Sequence, residues 1–389
     1  MPPNFDTERV HDEGETMKNI TCIVGTRPEA IKMAPVILAL RDDRFRVTVL
    51  STGQHSHMLH QALSTFRITA DIDLSIMQER QTLDAVTAKV LQGVGYFLDR
   101  AEQDLVLVHG DTTTTMAATL ACFYRHVPVG HVEAGLRSHD LDHPFPEEAN
   151  RIITDRLSTL WFAPTERAAE NLRREGLPVT ENSLFITGNT VIDALQATIK
   201  QKREPSAHLQ RAMRHQGPLV LMTAHRRESW GKPLESICHA IGDILEARAD
   251  LQVLIPMHKN PSVRETIQAI LGQDGRVTLC EPLDYPDFIW AMNRCDLILS
   301  DSGGVQEEAA GLKKPLLVMR NISERPEAME QGTAELVGTS RERIREAALA
   351  ILSDESYRER LLNRGANPFG DGSASKRIVQ GIRRYYERR

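Results

Sequence analysis

The chain has 389 residues, of which 41% are hydrophobic and 26% charged, and its formal net charge is −6. This length predicts two domains, because single hydrophobic cores stop growing at roughly 250–300 residues. The acidic balance argues against a sequence-independent nucleic-acid binder, which would normally be basic.

The amino terminus and the cysteines indicate a cytoplasmic protein. The leader, residues 1–17, is polar and acid-rich without the apolar core of a signal peptide, and we expect it to be disordered. No apolar run reaches the ~20 residues of a membrane helix, so no membrane partner is expected. The five cysteines are dispersed without a C-x-x-C pair, which favours a reducing compartment over disulfides or a zinc site.

Short apolar runs alternate with helical patterns along the chain. Most runs are continuous, which is typical of parallel strands covered on both faces. Strand–helix alternation of this kind predicts right-handed βαβ units in open, doubly wound sheets. The predicted strands are Ile20–Val24, Val47–Leu50, Leu105–His109, Val127–His131, Leu219–Thr223, Val253–Pro256, Leu297–Ser300 and Leu316–Met319.

The strand–helix pattern runs twice, which predicts an α/β protein of two Rossmann-like domains. A polar stretch at residues 200–216 separates the two halves, and we place the boundary earlier, near Gly188. The expected domains are residues 18–187 and 188–374, followed by a final helix at residues 375–389. In open α/β sheets ligands bind at the carboxyl ends of the strands, so the residues that follow strands are the candidate site.

A candidate anion site follows the first predicted strand. Pro28 suits the first turn of a helix there, because its missing N–H would have no partner. Together with the backbone donors of that turn, Arg27 and Lys32 favour a phosphate. The segment is neither a Walker A loop nor the G-x-G-x-x-G dinucleotide fingerprint. The spacing alone leaves a capped helix with solvated charges equally open.

Three carboxylates are expected near one sheet edge. Asp111 and Glu133 follow two predicted strands, and Glu147 lies on a nearby proline-stiffened loop. Converging carboxylates raise one another's pKa, which suits general acid–base catalysis. Alternatively, each pairs with a cation such as Arg137 or Arg151, but the three together favour catalysis modestly. The four threonines after the first carboxylate either cap the next helix or bond a polar ligand.

The second half carries the pattern of a nucleotide site. His225 and two arginines follow its first strand, where they either bind a diphosphate or form a solvated basic loop. Gly303 and Gly304 open a helix after another strand, which lets phosphate approach backbone N–H groups. One turn further along, Glu307 or Glu308 is placed to bond ribose hydroxyls.

A histidine cluster invites a metal interpretation. His55, His57 and His60 lie close together after the second predicted strand. No carboxylate completes a metal motif and no H-E-x-x-H occurs, so we expect no metal and favour a ligand-contacting or structural role.

Taken in order, these segments resemble the non-hydrolysing UDP-N-acetylglucosamine 2-epimerases, from about Met17 to the carboxyl terminus. Each motif alone is weak, but the ordered set is very specific. The segments are Gly25–Lys32, Val108–Thr115, His131–Arg137, Pro146–Arg151, Gly188–Asp193, His225–Glu228, Asp301–Glu308 and Glu324–Glu327.

The resemblance implies a GT-B-like pair of Rossmann domains with the active site between them and the last helix returned to the first domain. It implies cofactor-free, reversible C2 epimerisation of UDP-N-acetylglucosamine to UDP-N-acetylmannosamine for polysaccharide biosynthesis, by a homodimer. The family's acid–base residues correspond to Asp111, Glu133, Glu147 and His225. Its nucleotide-contacting residues correspond to Arg27, Lys32, Phe288, Ser302, Gly303, Gly304, Glu308 and Arg325.

The resemblance also implies regulation. Many bacterial members of the family are activated by a second UDP-N-acetylglucosamine molecule beside the active site. The corresponding positions are Gln54, His55, His57, Arg80, Arg226 and His258. The leader before Met17 has no counterpart in the family pattern.

The chemistry explains why these residue types are needed. The C2 proton is not next to a carbonyl, so an epimerase either oxidises C3 with bound NAD or expels UDP from C1 while a base takes the C2 proton. The missing dinucleotide fingerprint argues against the first route. The second route passes through 2-acetamidoglucal and needs proton transfer on both faces, diphosphate binding and exclusion of water. A GT-B glycosyltransferase, a hydrolysing epimerase and a non-catalytic nucleotide-sugar sensor stay open as alternatives.

Overall fold

The computed structural model describes most of the chain. The described residues are 17–43, 45–53, 56–76, 78, 81–201, 203–212, 217–224, 226, 229–321, 325–330, 333–362 and 367–388. The leader before Met17 lies outside them, so its disorder stays a prediction.

Two parallel β-sheets organise the molecule. Within the described residues, the strands of the first sheet are β1 (Lys18–Val24), β2 (Phe45–Ser51), β3 (Ile72–Asp73), β4 (Leu105–His109), β5 (Val129–Val132), β6 (Leu160–Ala163) and β7 (Leu184–Ile186). Those of the second sheet are β8 (Leu219–Thr223), β9 (Gln252–Pro256), β10 (Val277–Cys280), β11 (Leu297–Ser300), β12 (Leu316–Val318) and β13 (Ala334–Leu336). The spatial orders are β3-β2-β1-β4-β5-β6-β7 and β10-β9-β8-β11-β12-β13. Both are Rossmann orders, in which the direction of winding reverses beside the first strand.

Helices connect the strands. In the first half they are α1 (Arg27–Arg41), α2 (Ser56–Thr65), α3 (Leu83–Leu98), α4 (Thr113–Phe123), α5 (Glu147–Leu157), α6 (Glu166–Arg174) and α7 (Thr190–Lys200). In the second half they are α8 (Ala207–Ala212), α9 (Lys232–Ala247), α10 (Pro261–Leu271), α11 (Tyr285–Arg294), α12 (Gly303–Leu312), α13 (Pro326–Glu330), α14 (Arg341–Ser353), α15 (Glu355–Leu362) and α16 (Ala374–Glu387). No helix in the described ranges combines the length and apolar character that crossing a membrane requires.

The predicted doubly wound parallel fold is confirmed. All eight predicted strands are present, and β4, β8 and β11 have the predicted bounds. The strands that the pattern missed, β3, β6, β7, β10 and β13, contain only two to four residues each. Apolar runs of that length do not stand out from the apolar face of a helix.

Packed helices join the two sheets. Helix α7, which follows the first sheet in the chain, packs against α1 of the first half and against α11 and α12 of the second. One apolar cluster therefore continues from Ile31 through Val191 to Ala309. The five cysteines are free and buried, as expected for small core residues.

The last helix packs on the first half of the chain. Helix α16 contacts α1, α7 and β7. Its start is held by Asp193 of α7, whose carboxylate accepts hydrogen bonds from the N–H groups of Ala374 at 3.1 Å and Ser375 at 2.9 Å. The carboxyl-terminal segment therefore covers the face of the first sheet on which α1 lies.

Candidate active site

A buried carboxylate ties the loop after β1 to the loop after β4. Glu29 accepts hydrogen bonds from the N–H groups of Gly25 and Thr26 at 2.9 and 2.6 Å. Its other oxygen accepts from the hydroxyls of Thr112 and Thr115 at 2.6 and 3.0 Å. Thr112 also caps α4 by accepting from the N–H of Thr115. The capping alternative is confirmed for Thr112, and Glu29 holds the loops after β1 and β4 together.

Glu133 follows β5 and is anchored through one carboxylate oxygen. Its Oε2 accepts from Lys32 Nζ at 2.5 Å and from Asn189 Nδ2 at 2.7 Å, while His109 Nε2 lies 3.6 Å away. Burial by itself raises the pKa of Glu133, but Lys32 and then His109 outweigh it, so this pKa lies well below its ordinary value. Glu133 therefore favours its ionised form, held beside a buried cation. None of the described residues donates a hydrogen bond to its Oε1.

Lys32 also connects the two halves of the chain. Its ammonium lies 3.0 Å from Oε2 of Glu307 on α12, and Arg325 Nε donates to the other oxygen of Glu307 at 2.6 Å. Burial lowers the pKa of Lys32, but its two carboxylate neighbours outweigh this effect and raise it. We call Glu133, Lys32, Glu307 and Arg325 the interdomain charge chain, because their charges alternate from one sheet to the other.

Asp111 follows β4 and pairs with Arg151 of α5. The same guanidinium lies 3.0 Å from the buried carboxylate of Glu148, and Asn150 Nδ2 donates to the backbone carbonyl of Asp111 at 2.9 Å. The alternative in which Asp111 pairs with Arg151 is thus observed. It does not exclude proton transfer, because 27% of the Asp111 side chain stays accessible.

Glu147 is not on a loop as predicted but is the first residue of α5. The helix begins there because the proline-rich segment before it ends at Pro146, the residue that precedes the first helical turn. Burial, and then the neighbouring charge of Asp111, raises the pKa of Glu147. The pKa values of Glu133 and Glu147 are therefore shifted in opposite directions. Such a difference separates a base from an acid at sites that use two carboxyl groups.

An anion-binding arrangement opens helix α12. Ser302 is its N-cap and Gly303 its first residue. A Cβ on Gly303 would stand 2.7 Å from Arg325 Nη1, whereas one on Gly304 would meet no atom within 4 Å. The Arg325 guanidinium therefore lies directly over a helix amino terminus, where backbone N–H groups and a cation favour phosphate together.

The remaining predicted nucleotide residues are Arg27, which reaches from α1 to the second half, and Glu308 and Phe288 of the second half. Arg27 Nη2 donates to the carbonyl of Leu283 at 3.1 Å, and burial, partly offset by Glu308, lowers the pKa of Arg27. Burial raises the pKa of Glu308 to about 7, with the Tyr285 hydroxyl and the Arg27 charge acting against the shift. Phe288 on α11 is half-buried against the core.

The structure shows hydrogen bonds for two of the predicted activator-site residues, Arg226 and His258. The N–H of Arg226 donates to Asp301 at 3.0 Å, directly before Ser302. His258 follows β9, and its Nδ1 accepts from the N–H of Asn260 at 3.1 Å. The predicted site residues outside the described ranges are His225, Gln54, His55 and Arg80.

The predicted absence of a metal is not contradicted. The described residues hold no group of three His, Cys, Asp or Glu side chains arranged for a metal ion. Within the predicted histidine cluster, His60 Nε2 lies 3.1 Å from Asp73 Oδ2, and His57 is described only as part of the α2 backbone.

Two residues that contact Glu133, His109 and Asn189, were not predicted as site residues from their positions relative to the strands. His109 is the last residue of β4, and both of its buried ring nitrogens have no hydrogen-bond partner among the described residues. Asn189 caps α7 through Oδ1, which leaves Nδ2 for Glu133. The available signal was their place beside recognised motifs, two residues before Asp111 and directly after Gly188.

Comparison with known proteins places this geometry in a family. Residues 38–383 match the family model described as UDP-N-acetylglucosamine 2-epimerase. The chain is 48% identical over 375 residues to the UDP-N-acetylglucosamine 2-epimerase of Escherichia coli (strain K12), with 94% of this chain and 98% of that protein covered. It is similar to the UDP-GlcNAc 2-epimerase from Neisseria meningitidis bound to UDP-GlcNAc, at 44% identity and a TM-score of 0.88, covering 94% and 99% of the two chains. The S. aureus MnaA–UDP co-structure is similar at 46% identity and a TM-score of 0.88, covering 95% and 97%. The chain therefore belongs to the UDP-N-acetylglucosamine 2-epimerase family.

Proposed function

We propose that the protein reversibly inverts C2 of the sugar in UDP-N-acetylglucosamine, giving UDP-N-acetylmannosamine, by eliminating and re-adding UDP. The observation that carries the proposal is that the pKa values of Glu133 and Glu147 are shifted in opposite directions within one site. One carboxylate is held charged by Lys32 and Asn189, and the other has a raised pKa beside Asp111. The family and its named relatives support the substrate.

The proposed reaction needs no oxidation. A carboxylate removes the C2 proton, the C2–H electrons form a C1=C2 double bond, and the C1–O bond breaks with its electrons leaving on UDP. The enclosed pair is 2-acetamidoglucal and UDP. In the return step a proton is delivered to the opposite face of C2, and a UDP oxygen re-forms the bond to C1. No redox cofactor takes part in this sequence, because every electron pair stays within the sugar and UDP.

The three carboxylates divide these proton transfers. Glu133 accepts the C2 proton, because it stays ionised and none of the described residues donates a hydrogen bond to its Oε1. Glu147 delivers a proton on the other face, because burial and Asp111 favour its protonated form. Asp111, held by Arg151, keeps that proton affinity high. His225, which lies outside the described residues, is proposed to serve the diphosphate or the proton relay.

The second half, together with Arg27 and Lys32 of α1, binds and retains the leaving group. The proposed contacts for the diphosphate are the first turn of α12 and the cations around it, and for the ribose Glu308. Preorganised donors of this kind stabilise the charge that develops as UDP leaves. The residues involved are Arg27, Lys32, Phe288, Ser302, Gly303, Gly304, Glu308 and Arg325.

Contacts between the halves support a reaction without hydrolysis. The interdomain charge chain is accompanied by two further contacts, from Thr165 Oγ1 to Glu327 at 3.1 Å and from Arg167 Nη2 to Glu330 at 2.7 Å. A closed arrangement keeps water from capturing the glucal or dispersing it from UDP. A hydrolysing enzyme would instead release N-acetylmannosamine and UDP.

Regulation and assembly are proposed from the family resemblance. A second UDP-N-acetylglucosamine would bind beside Arg226 and His258, next to the start of α12. The hydrogen bond from the Arg226 N–H to Asp301 links that region to the nucleotide site. A homodimer and a cytoplasmic location stay predictions, tested by the solution mass of the purified protein and by cell fractionation.

The deciding experiment is incubation with UDP-N-acetylglucosamine in D₂O, without added cofactor, followed by NMR of the sugar. We expect interconverting UDP-GlcNAc and UDP-ManNAc with deuterium at C2. Epimerisation without deuterium would reject proton exchange at C2, and free N-acetylmannosamine would indicate hydrolysis. An unchanged sugar that becomes a glycoside only when an acceptor is added would establish a glycosyltransferase instead.

A further inference from the structure

A buried histidine–carboxylate pair links the ends of the two strands that precede the proposed proton-transfer residues Asp111 and Glu133. His131 is on β5 and Asp155 on α5, and neither side chain is exposed to solvent. His131 Nδ1 lies 2.6 Å from Asp155 Oδ1, while Nε2 lies 2.7 Å from the backbone carbonyl oxygen of Gly110. Both ring nitrogens therefore have a fixed partner, and the ring spans from α5 to the end of β4.

One end of the pair holds the turn that carries Asp111. Gly110 directly precedes Asp111 and has a φ of +68°, a left-handed conformation that glycine adopts without strain. The carbonyl of Gly110 is the group that His131 holds. Since the peptide bond is planar, fixing this carbonyl also fixes the direction in which the chain enters Asp111.

The other end holds the turn that carries Glu133. Asp155 Oδ2 accepts a hydrogen bond from the N–H of Gly135 at 3.1 Å and lies 2.8 Å from Arg137 Nη1. Glu133 itself has a φ of +69°, which is unusual for a residue with a side chain and has to be maintained by its surroundings. The Asp155 contact to Gly135, two residues further on, is one of those restraints.

We propose that His131 and Asp155 are positioning residues that hold the Asp111 and Glu133 turns at one fixed spacing, so that a single buried pair aligns both carboxylates on the sugar. This inference rests on the proposed function, because it assigns the pair a role in the proton transfers at C2. Neither residue contacts the reacting atoms. Both act through the backbone on either side, at Gly110 and at Gly135.

A role in stability alone is the competing explanation, since any buried charged pair is costly to break. The two explanations predict different effects of a substitution on UDP affinity. The proposed UDP-binding residues on α12 lie on the other half of the chain, so a positioning defect lowers kcat far more than UDP affinity. A general loss of folding lowers both together. Measuring turnover at C2 and UDP affinity in the same variant therefore distinguishes the two explanations.

Amide substitutions can separate the two contacts of the His131 ring. The amide nitrogen of His131→Gln reaches the position of Nε2 and can still donate to Gly110, whereas that of His131→Asn reaches Nδ1 and can donate only to Asp155. Asp155→Asn keeps the side-chain shape but removes the negative charge that faces His131, Gly135 and Arg137. Asp193→Asn is the matched control, because Asp193 is also buried and holds the backbone at the start of α16.

The experiment measures, for each folded variant, kcat and KM for epimerisation, deuterium incorporation at C2, and the Kd for UDP. We expect Asp155→Asn and His131→Asn to lower kcat and deuterium incorporation by ~100-fold, as misplacement by about 1 Å can do, with a much smaller change in the Kd for UDP. His131→Gln should retain more activity than His131→Asn. Asp193→Asn should lower the melting temperature and leave kcat unchanged.

Normal kcat in folded Asp155→Asn and His131→Asn would overturn the inference, and so would parallel losses of kcat and UDP affinity. Failure of the wild-type protein to exchange C2 would instead reject the proposed function. In that event hydrogen–deuterium exchange of the peptides containing residues 110–111 and 133–135 decides the positioning claim. It is overturned if neither peptide exchanges faster in Asp155→Asn than in the wild type.

Discussion

The ammonium nitrogen of Lys32 lies 2.5 Å from Oε2 of Glu133, and both side chains are buried. The pairing joins a helix residue of the βα unit that opens the first sheet to a strand-end carboxylate that is 101 positions away in the chain. Its consequence is chemical, because Lys32 keeps ionised a carboxylate that burial would otherwise protonate.

Replacing Lys32 with methionine should therefore move the pH dependence of catalysis. The pKa of Glu133 is held low by Lys32, so its loss raises that pKa and protonates the base at higher pH. We expect the acidic limb of the pH–kcat profile to move to higher pH, so that kcat falls more at pH 6 than at pH 8. Lys18→Met is the control, because Lys18 pairs with Asp104 at 3.0 Å in an accessible position, and its profile should match the wild type. An unmoved acidic limb in folded Lys32→Met would contradict this role.

Each of the three carboxylates should be needed for turnover. Asp111→Asn, Glu133→Gln and Glu147→Gln keep side-chain size and remove the charge, and each should lower kcat by ~100- to 10,000-fold, the range of general acid–base catalysis. Asp142→Asn, on the exposed loop before α5, should behave as the wild type. Deuterium incorporation and product formation measured together would show whether one variant exchanges C2 without completing inversion. Near-normal turnover of all three folded variants would reject the assignment.

Glu308 should make stability depend on pH in the direction opposite to a paired carboxylate. Its pKa is raised by burial from 4.5 to about 7, so its contribution to stability is fully present below pH 4.5 and is lost as the pH rises through 7. Glu308→Gln lacks this loss and should gain stability relative to the wild type between pH 5.5 and pH 8.5. The gain in the free energy of unfolding is at most about 3 kcal/mol. Melting temperatures at both pH values measure it, and exposed Glu342→Gln should show no such change.

A melting-temperature difference between wild type and Glu308→Gln that is the same at pH 5.5 and pH 8.5 would show that Glu308 does not titrate in that interval. The same two proteins also test the proposed ribose contact. Removing the carboxylate should weaken UDP binding at pH 8.5, where the wild-type group is charged, more than at pH 5.5.

The two glycines that open α12 should respond differently to alanine. Gly303→Ala places a Cβ 2.7 Å from Arg325 Nη1 and displaces the guanidinium, so the Kd for UDP should rise about tenfold. Gly304→Ala meets no protein atom within 4 Å, and alanine favours the helix, so its melting temperature should equal or exceed that of the wild type. Calorimetric titration with UDP measures the Kd, and thermal unfolding measures the melting temperature. Unchanged affinity in Gly303→Ala would remove Arg325 from the proposed diphosphate site.

The sheets were predictable because their signal is local. Continuous apolar runs bounded by turn residues identified β4, β8 and β11 to the residue, and strand–helix alternation then implies parallel order. The strand-end rule likewise brought Asp111 and Glu133 to one edge. Glu147 was misplaced because a helix that begins directly after a proline-rich segment looks like part of that segment in the sequence.

The contacts between the halves were not predictable from patterns of apolar and polar residues. Lys32 was expected to hold a phosphate, yet it also spans Glu133 and Glu307, which lie on different halves of the molecule. The periodicity of apolar residues and the spacing of motifs describe one helix or strand at a time. They do not indicate which residues of two separate sheets lie close together. The contacts that His109 and Asn189 make with Glu133 join different elements of the first half, and spacing along one element does not give them either.

Gly135 lies so close to α6 that a Cβ would stand 2.2 Å from the carbonyl oxygen of Ala168. The same nine-residue helix carries Arg167, which pairs with Glu330 of α13 on the second half. One short helix therefore contacts both the turn that follows Glu133 and the second half of the chain. The Glu133 turn and the contact between the two halves thus share a single structural support.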